Sequence, residues 1–183
     1  MLYSKEDILG FETDTVWGIG CHPLCSKSVD KIYEIKGRDK SKPLILMSSK
    51  LEYLLPYVKT IPPYAKELIS KYFPGALTLI FEKSEICPYS ITSGLSTVGI
   101  RIPNHKGFYG IAENFEDCVL ATTSLNLSNT PPVKNYNEAF NNFGNQIKII
   151  KPDSSSKMEG HASTVVLCTG DKPIVLRQGT IYI

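Results

Sequence analysis

Apolar and polar positions along this chain follow two alternating periods. In "SKSVDKIYEIK", Val29, Ile32, Tyr33 and Lys36 share one helical face, with Ser26 or Ser28 where an N-cap belongs and Gly37 where the helix should stop. Leu51, Leu54, Leu55 and Val58 form a second helical stripe. "PPYAKELISKYF" predicts another helix, with its prolines at the start and Tyr64, Leu68, Ile69 and Tyr72 as its apolar face. A short helix is expected over "YNEAFNNF". Between these lie short apolar runs that read as strands: "DILGFET", "KPLILM", "ALTLIFEK", "TVGIRIP", "CVLATTS", "IKIIK", "STVVLC" and "PIVLRQG". Polar connections such as "NLSNTPPVKN" and "KPDSSSKMEGHA" follow several of them. The alternation predicts an α/β fold in one domain over residues 1–183, built on a sheet of about six or seven strands.

Composition changes little in that picture. The chain is 42% hydrophobic and 21% charged, and its net charge is +2. Such a balance does not describe a protein that coats nucleic acid, so any basic character must be local. The five cysteines are scattered and odd in number, a poor disulfide framework. Cys118 and Cys168 read as small core residues. Cys21, His22 and Cys25 lack a second Cys/His pair at zinc-like spacing, so no metal site is expected. The start, "MLYSKEDILGF", has no basic segment and no long apolar run; no signal peptide or membrane span is expected, and a reducing cytoplasm fits.

Polar residues recur at strand ends. Thr13 and Thr15 close "FETDTVWG"; Thr97 and Arg101 share one strand face; Thr122, Ser124 and Asn126 sit two apart; Ser163 and Arg177 occupy "HASTVV" and "VLRQG". Burying them unpaired would cost about 1–3 kcal/mol each. A polar cleft explains the set, although any single Thr is also explained by β-propensity and any single Ser or Asn by a turn.

"YEIKGRDKSKPLILM" puts Lys36, Arg38, Lys40 and Lys42 at alternate positions. Lys36 also reads as a cation closing a helix C-terminus, with the others as solvated loop charges. In an extended chain, residues two apart are about 6.6 Å apart, a spacing that lets successive cations meet different oxygens of a triphosphate. No Walker or G-x-G-x-x-G motif accompanies them.

Together, "TDTVWGIG", "IYEIKGRDKSKPL", "FPGALTLI", "STVGIRIP", "ATTSLNLSN", "STVV" and "VLRQG" resemble, in order, the YrdC/YciO family, whose best-understood members are threonylcarbamoyl-AMP synthases. The resemblance spans Thr13 to Gly179 and suggests the short, single-domain form. It implies an open, twisted, mixed sheet with flanking helices and a basic concave face. It also implies a reaction in which L-threonine, bicarbonate and ATP give threonylcarbamoyl-AMP and pyrophosphate. Magnesium would ride on the phosphates. Partner proteins would then pass the threonylcarbamoyl group to a tRNA adenosine, with possible tRNA contact by this chain. Lys36 and Arg38 match the family's catalytic Lys-x-Arg at the ATP phosphates. Lys42, Thr97, Ser124, Asn126 and Arg177 match positions on the nucleotide side. Thr15, Arg101, Thr122 and Ser163 match positions around L-threonine, with Arg101 the expected fork for its carboxylate. Glu12, Trp17, Asp39, Met47, Leu125, Asn129 and Pro132 depart from the family pattern, and the usual N-terminal helix is nearly missing.

The implied chemistry asks for charge neutralisation and alignment, because a carbamate must approach a triphosphate. Lys36, Arg38, Lys42 and Arg177 are the expected positive field. Asp14 reads as structural and His161 as a surface residue. Two rivals remain: an RNA-binding module using the basic concavity, and a YciO-like paralogue without threonine activity.

Overall fold

The computed structural model describes residues 2–153 and 158–183; positions 154–157 of the expected polar connection lie outside them. The described residues form one mixed sheet of nine strands rather than six or seven. These are β1 (Ile8–Phe11), β2 (Gly18–Cys21), β3 (Ile45–Ser48), β4 (Leu77–Glu82), β5 (Thr97–Arg101), β6 (Val119–Ser124), β7 (Lys148–Ile149), β8 (Thr164–Leu167) and β9 (Ile174–Arg177). Their order across the sheet is β7-β1-β2-β6-β3-β5-β4-β8-β9. β1–β7, β3–β5 and β4–β8 pair in parallel, and the remaining neighbours are antiparallel. Six helices flank it: α1 (Ser26–Lys36), α2 (Leu51–Leu54), α3 (Pro63–Tyr72), α4 (Tyr89–Thr92), α5 (Lys106–Ala112) and α6 (Tyr136–Phe143).

The period of two assigns residues to faces. On one face, Ile19, Leu46, Leu79, Phe81, Val98, Ile100, Ala121 and Val166 form the main core with Val29, Ile32 and Ile35 of α1. The register places Gly18 and Gly20 of β2, Thr122 and Ser124 of β6, Ile45 of β3 and Gly99 of β5 on the opposite face. α5 covers part of that second face, where Phe108, Ile111 and Ala112 pack on Leu9, Phe11, Met47 and Leu120. The uncovered remainder mixes hydroxyls and arginines with apolar side chains such as Trp17, Ile45, Met47 and Val165.

Several elements differ from expectation. β2, "GIGC", lacks the β-branched alternation of its neighbours and is held by pairing to β1 and β6. α1 has Cys25 as its N-cap, but its Sγ caps no backbone N–H and lies 3.1 Å from Ser28 Oγ; the Ser28 hydroxyl donates to the Glu6 carbonyl. Gly37 does end α1, in the left-handed region at φ 57°. The Leu51–Val58 stripe is not one helix: Pro56 turns α2 into a 3-10 turn over Leu55–Tyr57, so Tyr57 is buried and Leu55 is exposed. Cys168 is buried, but Cys118 sits half-exposed at a positive φ before β6.

Candidate functional site

The uncovered face forms a cleft of about 380 Å³, within the usual range for small-molecule sites. Its floor crosses most of the sheet, from Gly18 on β2 through Thr122 on β6, Ile45 on β3 and Thr78 on β4 to Arg177 on β9. Glycines keep the floor low. A Cβ on Gly99 would lie 2.8 Å from Ile45 Cγ2, and one on Gly20 2.9 Å from Thr122 Cγ2.

Eight of the expected residues line this cleft: Thr15, Arg38, Arg101, Thr122, Ser124, Asn126, Ser163 and Arg177. Arg38, Arg101 and Arg177 thus face one space from three separate parts of the chain. Lys36, Lys42 and Thr97 do not line it. Thr97 shares the parity of Arg101 but opens β5 opposite Glu82, four residues away, or about 13 Å along a strand. Lys42 is exposed, and it is its backbone carbonyl that the Tyr33 hydroxyl and Arg38 Nε donate to.

The alternating cations therefore do not form an extended row. Lys36 is the last residue of α1, the left-handed Gly37 breaks the period, and Lys42 N closes a turn on Asp39 O. Arg38 folds back, with Nη2 donating to Pro43 O at 3.1 Å. Lys40 pairs with Asp30 on the surface at 2.7 Å. Lys36 is buried, and its ammonium donates to Ser124 O, to Asn126 O at 2.8 Å and to Asn126 Oδ1 at 2.9 Å. Burial, aided by the nearby Arg38 charge, pushes its pKa down to about 7.

Arg101 is buried at the end of β5. Its Nε donates to Gly75 O at 3.0 Å, Nη1 to Thr15 Oγ1 at 2.7 Å and Nη2 to Asp14 Oδ1 at 2.5 Å. A guanidinium has five N–H donors, so one on each Nη stays available as a fork. The other Asp14 oxygen accepts from Asn104 N at 3.1 Å, so Asp14 ties Arg101 to the loop after β5. Thr13 Oγ1 donates to Val16 O at 2.7 Å and lies 3.1 Å from Thr15 Oγ1, which shapes the "TDT" turn that presents Thr15. Across the cleft, Arg177 donates to Ser163 O at 2.9 Å and Ser163 Oγ at 3.2 Å. Ser163 Oγ is 2.9 Å from Thr78 Oγ1.

Thr78 was not among the expected site residues. Its one signal was a lone hydroxyl inside "ALTLIFEK", which β-propensity also explains. Thr13, Thr130 and Pro132 line the cleft as well. His161 is exposed and stands outside the lining. No Asp or Glu lines the cleft among the described residues, and no group of three or more His, Cys, Asp or Glu residues there could hold a metal ion. The cleft sets three cations and a group of hydroxyls among apolar side chains, and suits an anionic ligand with an apolar part. No helix among the described residues is long and apolar enough to cross a membrane.

The family described as Sua5_yciO_yrdC, telomere recombination, matches residues 2–179. Threonylcarbamoyl-AMP synthase of Pyrococcus abyssi is 34% identical over 172 residues, which cover 94% of this chain and 50% of that protein. Its counterpart in Bacillus subtilis is 35% identical over 182 residues, covering 98% of this chain and 52% of the relative. The chain thus spans about half the length of these curated relatives. The structure of P. abyssi Sua5 complexed with L-threonine superimposes with a TM-score of 0.87 at 33% identity, over 95% of this chain and 51% of that one.

Proposed function

The chain belongs to the Sua5/YciO/YrdC family, and from that premise we propose that it makes threonylcarbamoyl-AMP and pyrophosphate from L-threonine, bicarbonate and ATP, as a nucleotidyltransferase. The observation that carries this reading is the meeting of Arg38, Arg101 and Arg177 over one floor with no carboxylate among the described lining residues. The reaction brings a carbamate carboxylate against the α-phosphorus of ATP, so two anions must share a site. Fixed cations aimed at that site lower the barrier with no reorganisation at the moment of reaction.

In this reading the Arg101 fork, held by Asp14 and Gly75, takes the threonine carboxylate, with Thr15, Thr122 and Ser163 around the rest of the amino acid. The threonine nitrogen bonds to the bicarbonate carbon and a C–O bond breaks, releasing water and leaving the carbamate; a carbamate oxygen then bonds to the α-phosphorus as the bond to the pyrophosphate oxygen breaks. Arg38 and Arg177 neutralise the phosphates, and Ser124 and Asn126 form the nucleotide side of the wall. Lys42 and Thr97 stand outside this cleft and take no part in the reading. Hydroxyls and guanidiniums are poor ligands for a resident divalent cation, so no step here runs through magnesium. The product, a mixed anhydride, suits a downstream threonylcarbamoyl transferase acting on tRNA. Residues 1–183 are taken as one functional domain.

Pyrophosphate release by the purified protein tests the proposal. Release that requires ATP, threonine and bicarbonate together is expected. Release that ignores threonine or bicarbonate, or no release, overturns it.

A further inference from the structure

An ammonium has three N–H donors. In Lys36 all three are engaged, by Ser124 O, Asn126 O and Asn126 Oδ1. The Lys36 backbone is committed to the same segment, since its carbonyl accepts from Ser128 N at 2.7 Å. Asn126 is as fully used. Its Nδ2 donates to Leu127 O at 2.8 Å and Thr130 O at 2.7 Å, and its Oδ1 also accepts from Ser124 Oγ at 2.6 Å. The amide orientation is determined by this network, because turning it over would point an NH₂ at an ammonium. Arg38 offers the contrast: two of its five donors are used, and it lines the cleft that Lys36 does not.

We propose that Lys36 is a positioning residue: it fixes the Ser124–Thr130 wall of the cleft through Asn126 and does not itself bind phosphate. A phosphate contact would take a donor away from a carbonyl that has no water to replace it, since Lys36 is only 2% exposed. Arg38, two residues on, is free to meet the anion. The part of this inference that concerns nucleotide rests on the reading above; the part that concerns the wall does not.

The test compares Lys36→Met and Lys36→Gln with Arg38→Met and the wild type, by amide hydrogen exchange without ligand and by calorimetric binding of ATP and adenosine. In Lys36→Met, exchange across 124–130 should rise about tenfold or more while the central strands stay protected. Lys36→Gln, which keeps two N–H donors, should restore part of that protection. ATP and adenosine should weaken by the same factor in both Lys36 variants, whereas Arg38→Met should weaken ATP selectively. Unchanged exchange at 124–130, or a loss of ATP affinity well beyond that of adenosine in Lys36→Met, overturns the proposal. If Lys36→Met does not fold, Lys36→Gln against the wild type decides by the same two readouts. Absence of threonine-dependent pyrophosphate release in the wild type would retire the reaction and leave the exchange result standing.

Discussion

At the residue scale, two buried cations stand in opposite circumstances. Arg101 has a buried carboxylate partner in Asp14, and removing that partner leaves an uncompensated charge at the cleft floor. Asp14→Ala should therefore destabilise the fold by about 3–5 kcal/mol, read from urea midpoints. Lys36 has only neutral acceptors, and burial holds its pKa at about 7 against an ordinary 10.5. Between those values the unfolded chain binds the proton and the folded chain gives it up, so the three-donor arrangement belongs to the protonated form near and below pH 7, and the neutral amine keeps two of the three bonds. The Lys36 contribution to stability is complete above the unfolded value and is lost as pH falls toward the folded one. The stability of the wild type minus that of Lys36→Met should then grow with pH, with a slope approaching about 1.4 kcal/mol per pH unit. Urea unfolding of both proteins at about pH 7, 8.5 and 10 measures it, and the subtraction removes the cysteines and tyrosines that titrate in the same range.

At the element scale, the site depends on strands that approach closely. A Cβ on Gly179, just past β9, would collide with the backbone of Ala162, Ser163 and Thr164. Gly179→Ala should cost about 1–3 kcal/mol by overpacking, and it should push Ser163 and Arg177 apart. A fall of several degrees in Tm, together with a raised KM for threonine, is the expected pair of results. β2 makes the same point about legibility. Its four residues carry two glycines because Phe11 and Thr122 lie over them, so the packing that requires the strand also erases its propensity signal. α4 and α5 escaped for a related reason: each is too short for a helical period to register.

At the scale of the whole molecule, a net charge of +2 conceals a cleft with three guanidiniums and no carboxylate among its described lining residues. Attraction of a polyanion into it should be sensitive to screening. Raising ionic strength from about 50 to about 200 mM should increase the KM for ATP several-fold, and by less in Arg177→Met. Steady-state kinetics at fixed threonine and bicarbonate provide the check.

The sequence by itself determined the α/β class, most strand and helix positions, the family, and the identity of eight residues that line the cleft. These are legible because period, caps and motifs are properties of neighbours in the chain. Tertiary structure alone decided which of the alternating cations reach the cleft. Gly37 turns the chain between Lys36 and Arg38, and the carbonyls that saturate the Lys36 ammonium come from β6 and the turn after it, some ninety residues away. It also decided that Thr78 joins Ser163, because that outcome depends on β8 lying beside β4. Hydrogen-bond saturation and cross-strand register are set between distant segments, and no local pattern encodes them.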